Sequence, residues 1–259
     1  MLKGVNVTIP SYKRAGAVKG YDYFRTAKIV IPESQRDDYA RHYDPKRLIV
    51  IPDEQDGNLP RKRNWILKNI PRPLVMIDDD VRCLAMTEGV YDRAGQFVGR
   101  SEQLIRLTIE QAEALIVHGF NLAHEWGIVY WGLNCNTDGR NYQQYKPFSL
   151  TQIVNDPFTG HLDHDLLYDE RVGTKLDYDF SLQALNRYRK ILRLNKFAYA
   201  CEHANNPGGL VGMRTMEVEL RDCRAIERKW GRGIIKYALH PKKLADILNG
   251  NVNVPIAGV

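Results

Sequence analysis

Three successive aspartates, Asp78, Asp79 and Asp80, follow the apolar segment Pro73-Leu74-Val75-Met76-Ile77. Adjacent carboxylates repel one another, so this arrangement calls for something positive nearby. On an extended chain, side chains two apart point to the same side, so Asp78 and Asp80 would share a target with about 7 Å of chain between them. A hard divalent cation, Mn2+ or Mg2+, fits, because it takes oxygen ligands and is commonly held by one or two carboxylates plus substrate phosphates. The bland alternative is an acidic turn facing water. A second acidic pair, Asp177 and Asp179, lies in Lys175-Leu176-Asp177-Tyr178-Asp179-Phe180-Ser181-Leu182. One carboxylate there could stay free of any structural role. Either could cap a helix start and complement its dipole. Two acids two apart leave one to cap and one free.

The elements that must position these acids read as an α/β pattern. Short apolar runs at 3–9, 26–31 and 47–51 precede the run Leu74–Ile77, and three of the four end in proline. Leu74–Ile77 is apolar throughout, as in a parallel strand buried on both faces. Ligands of open α/β sheets bind at the carboxyl ends of such strands. Residues 33–43 have helical spacing. So does the segment Arg61-Lys62-Arg63-Asn64-Trp65-Ile66-Leu67-Lys68, with Pro60 at its start. Three cations in a first turn oppose the helix dipole unless an anion sits there, so Arg61 and Arg63 are candidate phosphate contacts.

Further on, 81–86 reads as an edge strand and 89–99 as a turn. Ser101 is expected to cap a long helix whose core stripe is Leu104, Ile105, Thr108, Ala112, Leu115, Ile116 and Gly119. Residues 128–133 form another strand, and 134–147 a polar loop suited to an acceptor or lid. Short strands are expected at 150–154 and 160–167, a helix at about 178–194 and a strand at 197–201. His161 and His164 would face opposite sides of an extended chain, which argues against a metal pair. A helix over 214–229 leads into Trp230-Gly231-Arg232-Gly233 and Lys236-Tyr237, and a last short helix is expected from His240 to near Asn249.

The chain has 259 residues, 44% apolar and 26% charged, which suits one α/β domain. No apolar run approaches the ~20 residues of a membrane span, and the start shows no signal-peptide pattern. Cys83, Cys135, Cys201 and Cys223 lack CxxC spacing and fit free thiols in a reducing cytoplasm. The net charge of +6 suits anionic partners. Arg221, Arg224, Arg228, Lys229, Arg232 and Lys236, interleaved with Trp230 and Tyr237, suit a nucleic-acid strand through phosphate contacts and base stacking.

Four strands leading to Asp78-x-Asp80 resemble the nucleotide-binding half of GT-A glycosyltransferases, with their DxD motif. Over residues 3–215 the chain resembles in particular the phage-type glycosyltransferases that accompany TET-like dioxygenases and modify hydroxylated DNA bases. The resemblance implies a GT-A, Rossmann-like α/β domain with a mixed, mostly parallel central sheet. Residues 1–95 would bind the nucleotide-sugar, 96–215 would shape the acceptor site, and 216–259 would form a basic helical extension. It also implies transfer of a sugar from a nucleoside diphosphate, expected to be a UDP-sugar, to a hydroxymethylated pyrimidine in DNA. Pro10, Ser11, Tyr12 and Arg14 would lie in the loop that meets the nucleotide. Arg61, Arg63 and Asn64 would approach its diphosphate, with Asp78 and Asp79 alongside. Asp78, Asp80 and the late His203 would hold the metal. Asp177 matches the acid that serves as general base in inverting members, whereas Leu176 stands where the family pattern has another acid. The other readings are a nucleotidyltransferase, whose glycine-rich phosphate loop is missing here, and a non-catalytic DNA-binding module, which has no need of these acids.

Overall fold

The computed structural model describes residues 4–100, 104–135, 142–201, 215–243, 247 and 251–254. Its centre is a ten-stranded sheet in the order β3 (Leu48–Ile51), β2 (Lys28–Pro32), β1 (Asn6–Pro10), β4 (Leu74–Ile77), β11 (Phe158–His161), β9 (Tyr130–Asn134), β12 (Leu192–Cys201), β5 (Val81–Met86) and β8 (Ile105–Arg106). The tenth strand, β10 (Phe148–Ser149), pairs with β12. Counted from β1, seven strands run one way (β1 to β4, β8, β9 and β12), while β5, β10 and β11 oppose them. The architecture is therefore α/β with a mixed, mostly parallel sheet. A separate hairpin joins β6 (Gly89–Tyr91) and β7 (Phe97–Arg100), where the sequence suggested only a turn.

The sheet is covered on both faces, and the two-residue period of its strands shows why. In β4, Val75 and Ile77 pack into one apolar cluster and Leu74 and Met76 into another. In β2, Ile29 and Ile31 join the first and Val30 the second. Helices α1 (Arg36–Ala40) and α4 (Ile109–Glu125) cover the first face, and α3 (Leu59–Asn69) and α5 (Leu176–Tyr188) the second. Every residue of β4 is fully buried, and such side chains contribute about 1.5–3 kcal/mol each. Trp131 on β9 is the bulkiest fully buried side chain. It fits because Gly119 and Gly160 stand against its ring, where any Cβ would collide.

Several boundaries differ from the sequence expectation. Thr108 caps α4 through a reciprocal capping box with Gln111, whereas Ser101 lies outside the described residues. Residues 150–154 form no strand, and β11 occupies 158–161 instead. Helix α5 stops at Tyr188 because Arg189 turns left-handed at φ 65°. Leu192 and Leu194 then alternate on β12 and do not extend a helical stripe. The expected helix after His240 lies largely outside the described residues, and those at 240–243 are not helical.

Helix α6 (Met216–Trp230) is part of the body. Its Cys223 and Ile226 pack with Ile153, Val172 and Leu182. Glu219 forms a buried ion pair with Lys175 at 2.9 Å, and Asp222 accepts from the Thr174 N–H and hydroxyl at 2.8 and 3.0 Å.

Candidate active site

The chain runs from β1 outward to β2 and β3, then returns to place β4 on the other side of β1. This reversal sets the loops after β1 and β4 side by side at the carboxyl edge of the sheet, the position at which doubly wound sheets bind ligands. Asp78, Asp79 and Asp80 follow β4, and residues 11–14 follow β1. Because β11 is antiparallel, the segment before it also reaches this edge, and Asp78 donates its N–H to Pro157 at 3.1 Å.

The triplet is a turn and not an extended strand: Val81 N–H closes onto the Asp78 carbonyl at 3.1 Å. Burial pushes the Cys201 thiol pKa up and the charges of Asp80 and Asp78 add to the rise, so both acids lie near that thiol. Asp79 turns inward. It accepts from Ser11 Oγ at 2.6 Å and forms an ion pair with Arg14. Burial still holds its pKa up at about 6, with Arg14 and Ser11 pulling against the rise.

Behind Asp78 stands Arg63, fully buried and clamped between two acids. It meets Asp78 Oδ1 at 2.5 Å and Asp156 Oδ1 at 2.9 Å. Tyr168 donates its hydroxyl to Asp156 at 3.2 Å. Burial works against the Arg63 charge, but Asp156 and Asp78 more than offset it and hold its pKa well above the usual value. Asp156 is pushed up to about 8, first by burial and further by the charges of Asp177 and Asp78, against the pull of Arg63. Arg63 is thus balanced by Asp78 and Asp156, and the neighbouring Asp80 and Asp177 add carboxylates at this edge that would suit a cation. Among the described residues, no three His, Cys, Asp or Glu side chains group to hold a metal. Asp78 and Asp80 could supply at most two carboxylates to an ion, and a ligand's own oxygens would have to complete its shell.

Asp177 reaches the same edge. It lies in the first turn of α5, where Asn155 Nδ2 donates to its Oδ2 at 2.8 Å. It acts on Asp156 and Tyr199, as Asp78 does. Asp179, two residues on, is completely buried. It caps nothing; it accepts from Gln183 at 2.7 Å, Lys229 at 2.9 Å and the Trp230 indole at 2.8 Å.

The structure sorts the expected ligand residues. Tyr12 (41% exposed), Arg61, Asp78, Asp80 and Asp177 are reachable. Lys13 and Lys62 lie 5.2 and 5.7 Å from the Tyr12 ring. Six others are internal: Pro10, Ser11, Arg14, Arg63, Asn64 and Asp79 are all buried. Asn64 is held from both ends by the Tyr168 backbone, at 2.9 and 2.7 Å. The cations of α3 were expected to await a phosphate, but the fold supplies acids for them. Arg61 pairs with Glu170 at 3.0 Å, Lys62 with Asp56 at 2.6 Å, and Arg63 with Asp78 and Asp156. Asn58 caps that helix, accepting from the Arg61 N–H at 2.8 Å. His203 lies outside the described residues.

His161 and His164, expected to face apart, meet at 3.0 Å, because the chain turns after β11. His161 spends its other nitrogen on Thr159 at 3.0 Å, so the pair is structural. Asp156, Asn155, Lys62 and Tyr168 were not singled out from the sequence; the only local signal was the turn-forming Asn155-Asp156-Pro157. A small hollow elsewhere, lined by Val7, Phe24, Ala112 and Ile116 among others, holds about 10 Å³. That is room for one water at most.

Known protein families and curated proteins give no match to this sequence. Among the described residues, no helix is long and apolar enough to cross a membrane.

Proposed function

We propose that this chain is a GT-A-type glycosyltransferase that moves a sugar from a nucleoside diphosphate, a UDP-sugar in the first instance, to a hydroxyl on a pyrimidine base of DNA. The observation that carries this reading is the set of acids at the carboxyl edge beside the β1/β4 reversal: Asp78 and Asp156 share Arg63, Asn155 binds Asp177, and Asp80 lies in the turn after β4. A binding module has no use for so many acids in one place.

Each reachable residue then has a task. Tyr12 offers an exposed ring for the nucleotide base, flanked by the ammonium groups of Lys13 and Lys62. Asp78 and Asp80 would hold the divalent ion, and Arg63 fixes Asp78 by one oxygen. The ion, when bound, neutralises charge on the departing diphosphate. Asp177 takes the proton of the acceptor hydroxyl at a carboxylate that Asn155 holds in place. Thermal shift with UDP-glucose, UDP-GlcNAc and GDP-mannose, each with and without Mn2+, tests the donor half. One donor should raise the melting temperature only with Mn2+, by the linkage of binding to stability. A rise with a nucleoside triphosphate alone would favour the nucleotidyltransferase reading, and no rise with any nucleotide would remove both. Sugar transfer to hydroxymethylated duplex tests the acceptor half.

A further inference from the structure

The basic cluster at the end of the chain is split by the fold. At 3.6 residues per turn, Glu219, Asp222, Cys223 and Ile226 form the buried stripe of α6, and Arg221, Arg224 and Arg228 fall on the opposite, exposed side. Lys229 leaves the cluster, since it is bonded to Asp169 and Asp179. The aromatic residues leave it too: Trp230 donates its indole N–H to Asp179 at 2.8 Å, and Tyr237 its hydroxyl to Glu227 at 2.9 Å. Arg221 is partly neutralised by Asp222 at 2.9 Å. The remaining outward charges are Arg224 and Arg228, followed by exposed Arg232 and Lys236, with Glu217 against them near the helix start and half-buried Glu227 between the two arginines in sequence. An ordinary solvated face mixes signs or is weakly charged. The comparable helix α4 carries no lysine or arginine at all.

We propose that this face of α6 seats the phosphate backbone of duplex DNA without reading its sequence. Arg224 and Arg228 make the main contacts, and Arg221 and Arg232 extend them. From 221 to 228 the helix rises about 10 Å at 1.5 Å per residue, enough to follow about three phosphates at 3.4 Å of axial rise each. With both aromatic groups engaged internally, base stacking has no part in it. The contact positions the duplex and carries no base information. The last turn of α6 is bonded to Asp179, two residues from Asp177, so the helix that carries this face is anchored to the helix that carries the proposed base. The inference rests on the DNA-acceptor reading, but it can fail separately.

Fluorescence anisotropy with an unmodified 24-base-pair duplex between 50 and 200 mM salt tests it. Each lost phosphate contact reduces the slope of log K against log salt by about 0.9. R224Q/R228Q should therefore lower the slope by about 1.8 and weaken binding about tenfold or more at 50 mM salt. R221Q should do less, and K229Q should lower the melting temperature without changing the slope. The donor-induced thermal shift of R224Q/R228Q should equal that of the native chain, which separates this surface from the donor site. Loss of duplex binding in this variant, in a chain that transfers no sugar to DNA, would support the surface while removing the acceptor reading. An unchanged slope in R224Q/R228Q would overturn the proposal. So would tighter binding of a single strand than of the duplex. Binding to phosphatidylserine vesicles without binding to duplex would overturn it as well.

Discussion

At the end of β4, three acids occupy a tight turn; in the first turn of α5, two acids stand one residue apart. In each place one acid goes into the body and its neighbours stay at the edge. Asp79 is held by Ser11 and Arg14 from the loop after β1. Asp179 is held by Lys229 and Trp230 from α6. The difference lies in the tie: the first joins the turn after β4 to the loop after β1, whereas the second joins α5 to the C-terminal helix α6. In each place a carboxylate left at the edge stands within two residues of a buried one that ties two elements together. Loss of the buried acid and loss of the exposed one should therefore have different consequences.

The largest effects should fall on the exposed members. Asp177→Asn should cut turnover by about 10²–10⁴-fold, the usual contribution of a positioned base, with a nearly unchanged melting temperature. Asp80→Ala should abolish Mn2+-dependent donor binding in calorimetry and leave the fold intact. The buried members should do the reverse. Asp179→Asn weakens charge-assisted bonds to Lys229 and Trp230, worth about 1.5–3 kcal/mol each. Asn still accepts one of these bonds, so the net loss is about one bond's worth, and at about 2–4 °C per kcal/mol for a chain of this size the melting temperature should fall by about 3–12 °C while turnover per folded molecule holds. Asp79→Asn should cost about 1–3 kcal/mol, because Asn still accepts from Ser11 or Arg14. If Asp179→Asn abolished turnover in a chain that melts normally, the roles of Asp177 and Asp179 would have to be exchanged.

Much of the first half was legible because its signals are local. Leu74–Ile77 could only be a doubly buried strand, and proline marked the ends of its neighbours. The roles of the cations were not legible. Nothing near Arg63 in sequence announces Asp156, which lies 93 positions away, or Tyr168, at 105. The dipole argument rightly required negative charge near Arg61, Lys62 and Arg63, but the fold supplies it internally from Glu170, Asp56 and Asp156. Capping misled for the same reason: Asp179 opens no helix, and its partners lie some fifty residues later, at 229 and 230. The α5 boundary was misjudged because Leu192 fits a helical stripe as well as it fits strand alternation. Only pairing with β9 and β5 decides between them.

The smallest effect concerns acid stability, and it lies away from both acidic stretches. His161 and His164 share one proton across 3.0 Å, one ring donating and the other accepting. Protonating either ring would set two N–H groups against each other. Burial is the main reason that both pKa values are lowered, His164 to about 4 and His161 further, and Arg72 adds to it in both rings, while Asp165 pulls His164 back. Their folded values lie below the unfolded value of about 6.5. Between about pH 6.5 and 4 the unfolded chain therefore binds more protons, and stability falls as pH falls through that window. Asp156 acts in the opposite direction: its folded value of about 8 lies above the unfolded one, so its contribution falls as pH rises toward 8. For His164 alone, the loss by pH 5 is on the order of 1–2 kcal/mol. His164→Gln keeps a side chain able to bond His161 but cannot take up the proton. Melting temperatures measured from pH 7 down to 4.5 should therefore drop less steeply in this variant than in the native chain. Parallel curves would mean that the pair does not titrate in this window and that acid sensitivity arises from the acidic edge itself.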